Sequence, residues 1–161
     1  REVQRNWTLR LALGRFEASR YADLFAQLRR EGHTFTTFQE LEGDARGTRL
    51  LYELLRDLVA EVPSPEPRQP WSFEQFVQHR QNSPVLLPAC SFVTAKDGLL
   101  TGFSELKRAG TPGQLTSSLT GVRPAFRGQG LALAAKVKAL SAAQRAGFQT
   151  VSTQNAASNL R

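Results

Sequence analysis

The sequence predicts an α/β (α+β) fold in which a mixed, mostly antiparallel central sheet is flanked by helices. Three observations support this fold class. Apolar residues recur at helical spacing over residues 48–62 and 131–146. The segment Lys96-Asp97-Gly98 separates two strand-like runs and is typical of a tight antiparallel hairpin. The C-terminal third has the order strand, helix, strand, which is the arrangement that places two strands in parallel.

The N-terminal segment changes its period from two to that of a helix. Residues 6–16 carry Trp7, Leu9, Leu11 and Leu13 at alternate positions, which predicts a half-buried strand. From Ser19 the apolar side chains fall on one helical face, and Gly32 is a suitable C-terminal stop. Residues 34–38 are rich in Thr and Phe and predict a short strand.

A second helix is predicted over residues 48–62, followed by four prolines between residues 63 and 70 that exclude helix there. Ser72 and Gln75 have the spacing of a capping box, so a third helix is expected to begin there and to end at Asn82-Ser83-Pro84.

Strands dominate the next region of the sequence. We expect strands over residues 89–94, 99–107 and 115–122, and Gly102 marks a bulge within the second of them. The long helix 131–146 should turn Leu133, Val137 and Leu140 inward, and a last strand covers residues 149–153.

Composition excludes several functional classes. Cys90 is the only cysteine, so an internal disulfide is impossible; a reducing, cytoplasmic location is the expectation. The two histidines lie far apart with no Cys/His cluster, so no metal is expected, and no apolar run suits a membrane span. The formal net charge of +7 fits either a solvated basic surface or an anionic partner, such as nucleic acid or a phosphorylated cofactor.

The segment from residue 120 to residue 132 carries the chemical information. It begins where a strand ends and finishes where a helix opens, and Gly128 and Gly130 clear the space in front of free helix N-terminal amides. Such a turn binds phosphate or pyrophosphate, and Arg127 adds charge. A Walker A loop is excluded because Leu131 follows Gly130. A dinucleotide fingerprint is weak, since Leu133 stands where a small residue is needed and no acid follows Glu105.

Arg127, Gly130 and Ala132 match the pattern Gln/Arg-x-x-Gly-x-Gly/Ala, which resembles motif A of the GNAT acetyltransferase superfamily. The hairpin, the strand ending in Val122-Arg123-Pro124 and the helix that follows extend the resemblance over residues 34–161. It implies acetyl-coenzyme A as co-substrate, with its pyrophosphate on the turn and its pantetheine arm beside the preceding strand. The implied cofactor-binding residues are Thr120, Gly121, Val122, Arg127, Gly128, Gln129, Gly130, Leu131, Ala132 and Asn155. Glu105 is the best-placed acid to remove a proton from an acceptor amine.

The chain departs from the family pattern at the general acid. The family uses a Tyr after the closing strand, whereas this chain has only Tyr21 and Tyr52. We expect residues 1–32 to be a strand–helix extension or a linker from a preceding domain. Residues 33–161 would then form the GNAT domain without its final helix and strands, as in the C-terminal half of a tandem GNAT protein.

Three readings of the function follow from the sequence. The first is an N-acetyltransferase acting on an amine of a small molecule or peptide. Its expected protein partner is a second GNAT domain in the same chain or a second copy in a homodimer. The second is a catalytically silent acyl-coenzyme A-binding domain. The third, a basic nucleic-acid-binding module, is disfavoured because the phenylalanines recur at core-like spacing.

Overall fold

A computed structural model of the protein describes residues 6–62 and 69–156. Six strands form one sheet, and in chain order they are β1 (Asn6–Ala12), β2 (His33–Thr37), β3 (Phe92–Lys96), β4 (Leu99–Arg108), β5 (Gln114–Val122) and β6 (Thr150–Ala156). Five α-helices accompany them: α1 (Ala22–Arg30), α2 (Phe38–Leu41), α3 (Ala45–Ala60), α4 (Phe73–Asn82) and α5 (Leu131–Arg145). Short 3₁₀ turns lie at Leu13–Arg15, Ala18–Tyr21, Pro88–Cys90 and Pro124–Phe126.

The sheet has the order β1-β6-β5-β4-β3-β2, and every neighbouring pair is antiparallel except β5 and β6. Those two strands are parallel and are joined by α5, so the predicted strand–helix–strand crossover is confirmed. The predicted fold class is confirmed with it.

The two parallel strands separate after three residue pairs. Residues Gln114–Thr116 of β5 pair with Thr150–Ser152 of β6, and no further pairing joins them among the described residues. Beyond that point β5 continues to Val122 beside β4, while β6 continues to Ala156 beside β1. A wedge therefore opens between β5 and β6, and one backbone edge of β5 faces into it.

Two bulges shape the central strands. Thr94 pairs with Gly102 whereas Ala95 pairs with Leu100, so Thr101 is the extra residue and the predicted bulge at Gly102 is confirmed. In β5, Glu105 pairs with Leu119 while Leu106 pairs with Ser117, which leaves Ser118 as the extra residue. This second bulge lies just past the point where β5 leaves β6.

Helices cover both faces of the sheet. On one face α3 and α4 enclose an apolar cluster that includes Phe38, Leu54 and Phe103. On the other face α5 packs through small side chains, among them Ala139 and Ala143, against Leu115 and Val151.

Local signals place most of the turns and caps correctly. Asp97 and Gly98 both have positive φ, 51° and 78°, as a two-residue hairpin turn requires. Ser72 and Gln75 form the predicted capping box at the start of α4, and α4 ends at Asn82. Gly32, at φ 86°, follows α1.

Three predictions about the N-terminal half are corrected. The first strand ends at Ala12, because the backbone turns through the 3₁₀ segment Leu13–Arg15. Its faces are not half-buried as the alternation predicted, since residues 8–12 are all exposed and Leu9 is 62% exposed. Phe38 does not close a strand but opens the one-turn helix α2, whose start is capped by Thr37 and Glu40.

Other boundaries differ in detail. The long helix α3 begins at Ala45, not Thr48, because the Asp44 side chain accepts a hydrogen bond from the Gly47 amide and caps the helix earlier. The strand expected from residue 89 begins at Phe92, after the 3₁₀ turn Pro88–Cys90. Most of the predicted proline loop, residues 63–68, lies outside the described residues.

The inward placement of Leu133 was wrong. Leu133 lies on the same flank of α5 as Val137 and Leu140, but it is 46% exposed. Leu140 belongs to the buried cluster that contains Leu13, whereas Leu133 belongs to none of the buried clusters of the described residues.

The segment assigned from the sequence to an N-terminal extension contributes to the same sheet. Strand β1 pairs with β6 over all seven of its residues, and α1 packs beside α5 through Leu24, Phe25 and Leu28. The boundary between residues 32 and 33 stays a prediction.

Candidate cofactor and acceptor site

The turn before α5 presents a group of free backbone amides. The 3₁₀ turn Pro124–Phe126 leads into residues 127–130, and α5 then begins at Leu131. Within the described chain, the amides of residues 128–133 donate no hydrogen bond, and the Ala134 amide is the first to do so, to the Gly130 carbonyl. These amides lie at the positive end of the α5 dipole, so the turn is suited to bind an anion.

The two glycines of this turn serve different purposes. Both have left-handed backbone conformations, with φ 77° at Gly128 and 83° at Gly130. A Cβ on Gly130 would lie 2.8 Å from Leu24 Cδ1, whereas a Cβ on Gly128 would meet no described atom within 4 Å. Gly130 therefore permits close packing of α1 under the turn, and Gly128 leaves the space before the amides open.

Arginines fasten the turn to its neighbours. Arg127 donates from Nε to the Val122 carbonyl, at 2.9 Å, and pairs with Glu61 at the end of α3. Arg123 donates from Nε to the Leu100 carbonyl, at 2.9 Å, and from Nη1 to Asp57, at 3.0 Å. The sequence suggested Arg127 as a charge for the anion; in the structure its guanidinium is already paired and braces the turn against β5 and α3.

A buried histidine supports the turn from below. His33 is 3% exposed, and its Nε2 lies 3.2 Å from Gln129 Oε1. Its Nδ1 is buried and has no hydrogen-bond partner among the described residues. The sequence did not indicate this contact, because His33 and Gln129 are 96 residues apart.

The end of β5 lines the wedge. The family resemblance assigns this segment to the pantetheine arm, and that assignment stays a prediction. The Thr120 hydroxyl lies 3.0 Å from that of Ser104 on β4. A Cβ on Gly121 would lie 3.3 Å from Leu58 Cδ1, so this glycine lets α3 approach the sheet. Asn155 lies on β6 in register with Trp7, and its side chain is outside the description.

A cavity of about 460 Å³ adjoins the wedge on the α3/α4 face. It reaches β5 at Ser118 and Leu119, which is the bulge where β5 leaves β6. Its wall is mainly apolar and aromatic, and the residues of this kind are Tyr52, Leu55, Val59, Ala60, Pro70, Trp71, Phe76 and Leu119. The polar residues of the wall are Arg56, Gln69, His79, Arg80, Glu105, Lys107 and Ser118. We call this cavity the acceptor pocket.

Glu105 lies on the wall of the acceptor pocket and is held by two cations. It is 8% exposed, and its Oε1 accepts a hydrogen bond from Arg80 Nη1 at 2.9 Å. Lys107 Nζ lies 4.0 Å from the other carboxylate oxygen. Arg80 also donates from Nε to Glu42, so the buried guanidinium joins two carboxylates.

His79, which the sequence did not single out, faces the same cavity from α4. Its ring lies edge-on to the Trp71 ring, with centroids 4.6 Å apart, and its nitrogens make no hydrogen bond to the described residues. Burial lowers the pKa of His79, and the positive charges of Lys107 and Arg80 lower it further, against a smaller opposite effect of Glu105. The imidazole is therefore mainly neutral at pH 7.

No group of three or more His, Cys, Asp or Glu side chains within residues 6–62 and 69–156 could hold a metal ion. Within the same ranges, no helix has the length and hydropathy needed to cross a bilayer.

Solved structures of known proteins share this fold. A GCN5-related N-acetyltransferase from Sphaerobacter thermophilus superposes with a TM-score of 0.68 at 21% identity, over all of this chain and 46% of the other. The diaminobutyrate acetyltransferase of Paenibacillus lautus, solved with its substrate and coenzyme A, gives 0.56 at 18% identity, over 80% of this chain and 68% of the other. L-PGS from Bacillus licheniformis superposes with a TM-score of 0.56 at 17% identity, over 97% of this chain and 48% of the other.

The chain therefore has the fold of the GCN5-related N-acetyltransferases, as the motif at residues 127–132 predicted. It spans less than half the length of the Sphaerobacter protein. No family model matches the sequence, and no curated protein matches it. Since L-PGS has this fold and is not named as an acetyltransferase, the fold alone does not determine the reaction.

Proposed function

We propose that this protein binds acetyl-coenzyme A and transfers its acetyl group to an amine of a small molecule or peptide. The proposal is supported by three features that adjoin one another along the end of β5. They are the free amides of residues 128–133, the wedge between β5 and β6, and the acceptor pocket. Together they offer a place for a pyrophosphate, an extended arm and an acceptor.

The turn would hold the pyrophosphate through backbone amides. Six consecutive amides, which have no acceptor among the described residues, provide directed donors, and the α5 dipole adds attraction for negative charge. Gly128 keeps the approach open, while His33 fixes the side chain of Gln129 beside it. Arg127 would act by holding the turn to β5 and α3.

The wedge would hold the pantetheine arm. An extended chain with amide groups can add to the free edge of β5 as a strand would. Residues Thr120, Gly121 and Val122 line that edge, since their other side is paired with β4, and the Val122 carbonyl is already taken by Arg127 Nε. Asn155, proposed from the sequence, belongs to the strand on the far side of the wedge.

The acceptor pocket would bring the amine to the thioester. The amine nitrogen forms a bond to the carbonyl carbon, the carbon–sulfur bond breaks, one amine proton passes to a base, and coenzyme A leaves as the thiolate and takes a proton from solvent. Holding the two reactants together accounts for most of the acceleration expected of such a site. Glu105 is proposed to contact the amine through the carboxylate oxygen that Arg80 leaves free.

A silent acyl-coenzyme A-binding domain is the second candidate. The ion pairs of Glu105 favour it, because Arg80 and Lys107 already engage both oxygens of this carboxylate. Tyr52, which lines the pocket, donates its hydroxyl to the Trp71 carbonyl at 2.8 Å and is not free to act as an acid.

Calorimetric titration of acetyl-coenzyme A tests the binding step, with Gly128→Asp compared with Gly128→Asn. The two side chains are nearly isosteric and both tolerate left-handed backbone, so they differ mainly in charge. A carboxylate about 4 Å from one phosphate charge opposes binding by about 4 kcal/mol near a protein surface, roughly a thousandfold in Kd.

The same pair of changes at Gly147 provides the control. Gly147 has φ 88°, has open space around its Cβ position and lies at the opposite end of α5. Gly147→Asp and Gly147→Asn should bind acetyl-coenzyme A alike. Equal affinity of Gly128→Asp and Gly128→Asn for acetyl-coenzyme A would show that the pyrophosphate does not bind at this turn. Release of free coenzyme A on addition of amines then separates a transferase from a silent binding domain.

A further inference from the structure

The acceptor pocket carries information about the acceptor itself. Eight of its wall residues are apolar or aromatic, and Tyr52, Trp71 and Phe76 present rings from three different segments. Burial of an apolar, ring-sized ligand against such a wall is favourable. A polyhydroxylated ligand would find few hydrogen-bond partners there.

The charges in the pocket exclude a second positive group on the acceptor. Glu105 is the only acidic residue among the described wall residues, and Arg80 and Lys107 both lie within 4.0 Å of it. Arg56 brings a third cation to the wall, paired with Asp57 outside the pocket. A diamine, polyamine or lysine-rich peptide would therefore place its extra ammonium among cations, and the one acid among the described wall residues is already paired with two of them.

His79 is the group placed to take a proton. Glu105, Lys107 and Ser118 line the cavity together with it, and its ring nitrogens make no hydrogen bond to the described residues. Arg80 on the same helix, Glu105 and Lys107 on β4 are the charged residues that influence it. Trp71 holds the ring from the segment before α4.

Resting on the proposed function, we propose that the acceptor is a monoamine with an apolar, ring-bearing body and no second positive charge, and that His79 accepts its proton. The amine nitrogen attacks the thioester carbonyl carbon, one N–H proton passes to a ring nitrogen of neutral His79, and the coenzyme A thiolate departs. His79 then returns the proton to solvent.

The electrostatics of the pocket favour this sequence of events. The charges of Lys107 and Arg80, which together with burial lower the pKa of His79, act in the same direction on the ammonium of a bound acceptor. The acceptor therefore loses its extra proton more readily in the pocket than in water. A neutral imidazole and a neutral amine are the forms that acyl transfer needs.

The experiment compares amines that differ in one property. 4-Methylbenzylamine and 1,4-bis(aminomethyl)benzene share a ring and differ by a second ammonium, and methylamine lacks the ring. Release of coenzyme A thiol from acetyl-coenzyme A is followed on the full-length protein. We expect kcat/KM for the monoamine to exceed that for each of the other two at least tenfold. Equal or faster turnover of the diamine would overturn the acceptor class.

His79→Asn tests the proton acceptor, with Gln78→Asn on the exposed side of the same helix as control. His79→Asn should lower kcat with 4-methylbenzylamine by about a hundredfold or more. It should also remove the acidic limb from the pH profile of kcat. Gln78→Asn should leave both unchanged, and both variants should keep the wild-type Kd for acetyl-coenzyme A. Retention of the acidic limb in His79→Asn would overturn its role as the base.

Calorimetry separates the two levels of the proposal. Binding of acetyl-coenzyme A without turnover of any ring-bearing monoamine would overturn this inference, while the proposed acetyl-coenzyme A site would still be supported. Failure of the folded wild-type protein to bind acetyl-coenzyme A would overturn both.

Discussion

Arg80→Met removes a buried cation that joins two acids from different parts of the fold. Arg80 is 6% exposed in its side chain, and it links Glu42, after α2, with Glu105 on β4. Its guanidinium also lies over the Phe38 ring, 5.2 Å from the centroid. Methionine keeps much of the side-chain volume and the contact with this ring, so the change mainly removes charge and hydrogen bonds.

The expected loss is large because two carboxylates keep their burial and lose their main partner. Glu105 is 10% exposed in its side chain and Glu42 is 21% exposed. Removal of one member of such a buried pair typically costs about 3–5 kcal/mol. We expect Arg80→Met to fall in that range at pH 7. Glu105→Gln, which leaves Arg80 bonded to Glu42, should cost only about 1–2 kcal/mol.

Urea unfolding of the two single variants and of Arg80→Met/Glu105→Gln measures the coupling. The double variant has one orphaned carboxylate fewer than Arg80→Met, so it should be about 1–2 kcal/mol more stable than additivity of the single changes allows. Two results would contradict this expected coupling. One is a loss below about 1 kcal/mol for Arg80→Met, the range of an exposed pair, and the other is strict additivity of the two changes.

Three further outcomes follow from individual contacts. Burial raises the pKa of Asp57, but hydrogen bonds from Arg56 and Arg123 outweigh it and hold that pKa below its ordinary value. Asp57 therefore adds stability that is present at neutral pH and is lost as pH falls below about 4; Asp57→Asn should lose under about 1 kcal/mol at pH 7 and show a flatter acid denaturation curve. Gly121→Val should lose about 1–3 kcal/mol in urea unfolding, because its side chain would meet Leu58 at the sheet surface. Cys90 is buried and burial raises its thiol pKa, so a thiol reagent should label it only at the rate of unfolding.

The fold could be predicted where local chemistry decides the backbone. Asp97-Gly98 selects a tight turn because few residues accept two successive positive φ angles. Ser72 and Gln75 satisfy each other's backbone amides within a single helical turn, so their pairing needs no distant partner. The glycines of the 127–132 turn belong to the same class, and they led to the correct fold.

Burial was predicted less well, because it depends on neighbours that are distant in sequence. Leu133 and Leu9 follow the apolar periodicity of their elements and are nevertheless exposed. Periodicity predicts which side chains share a face, but it does not predict whether another element packs on that face. Leu140 is buried in the cluster that contains Leu13, more than a hundred residues away, whereas Leu133, two turns earlier on the same flank, is exposed.

The site divides in the same way. The amide turn at residues 127–132 could be predicted from the sequence, since a strand end, two glycines and a helix start are consecutive along the chain. The sequence did not predict that Glu105 is held by Arg80, that His79 faces the same cavity, or that Ser118 lies where β5 leaves β6. The turn consists of backbone groups in a local conformation, whereas the acceptor pocket consists of side chains whose distances are set by the packing of α3 and α4 on the sheet.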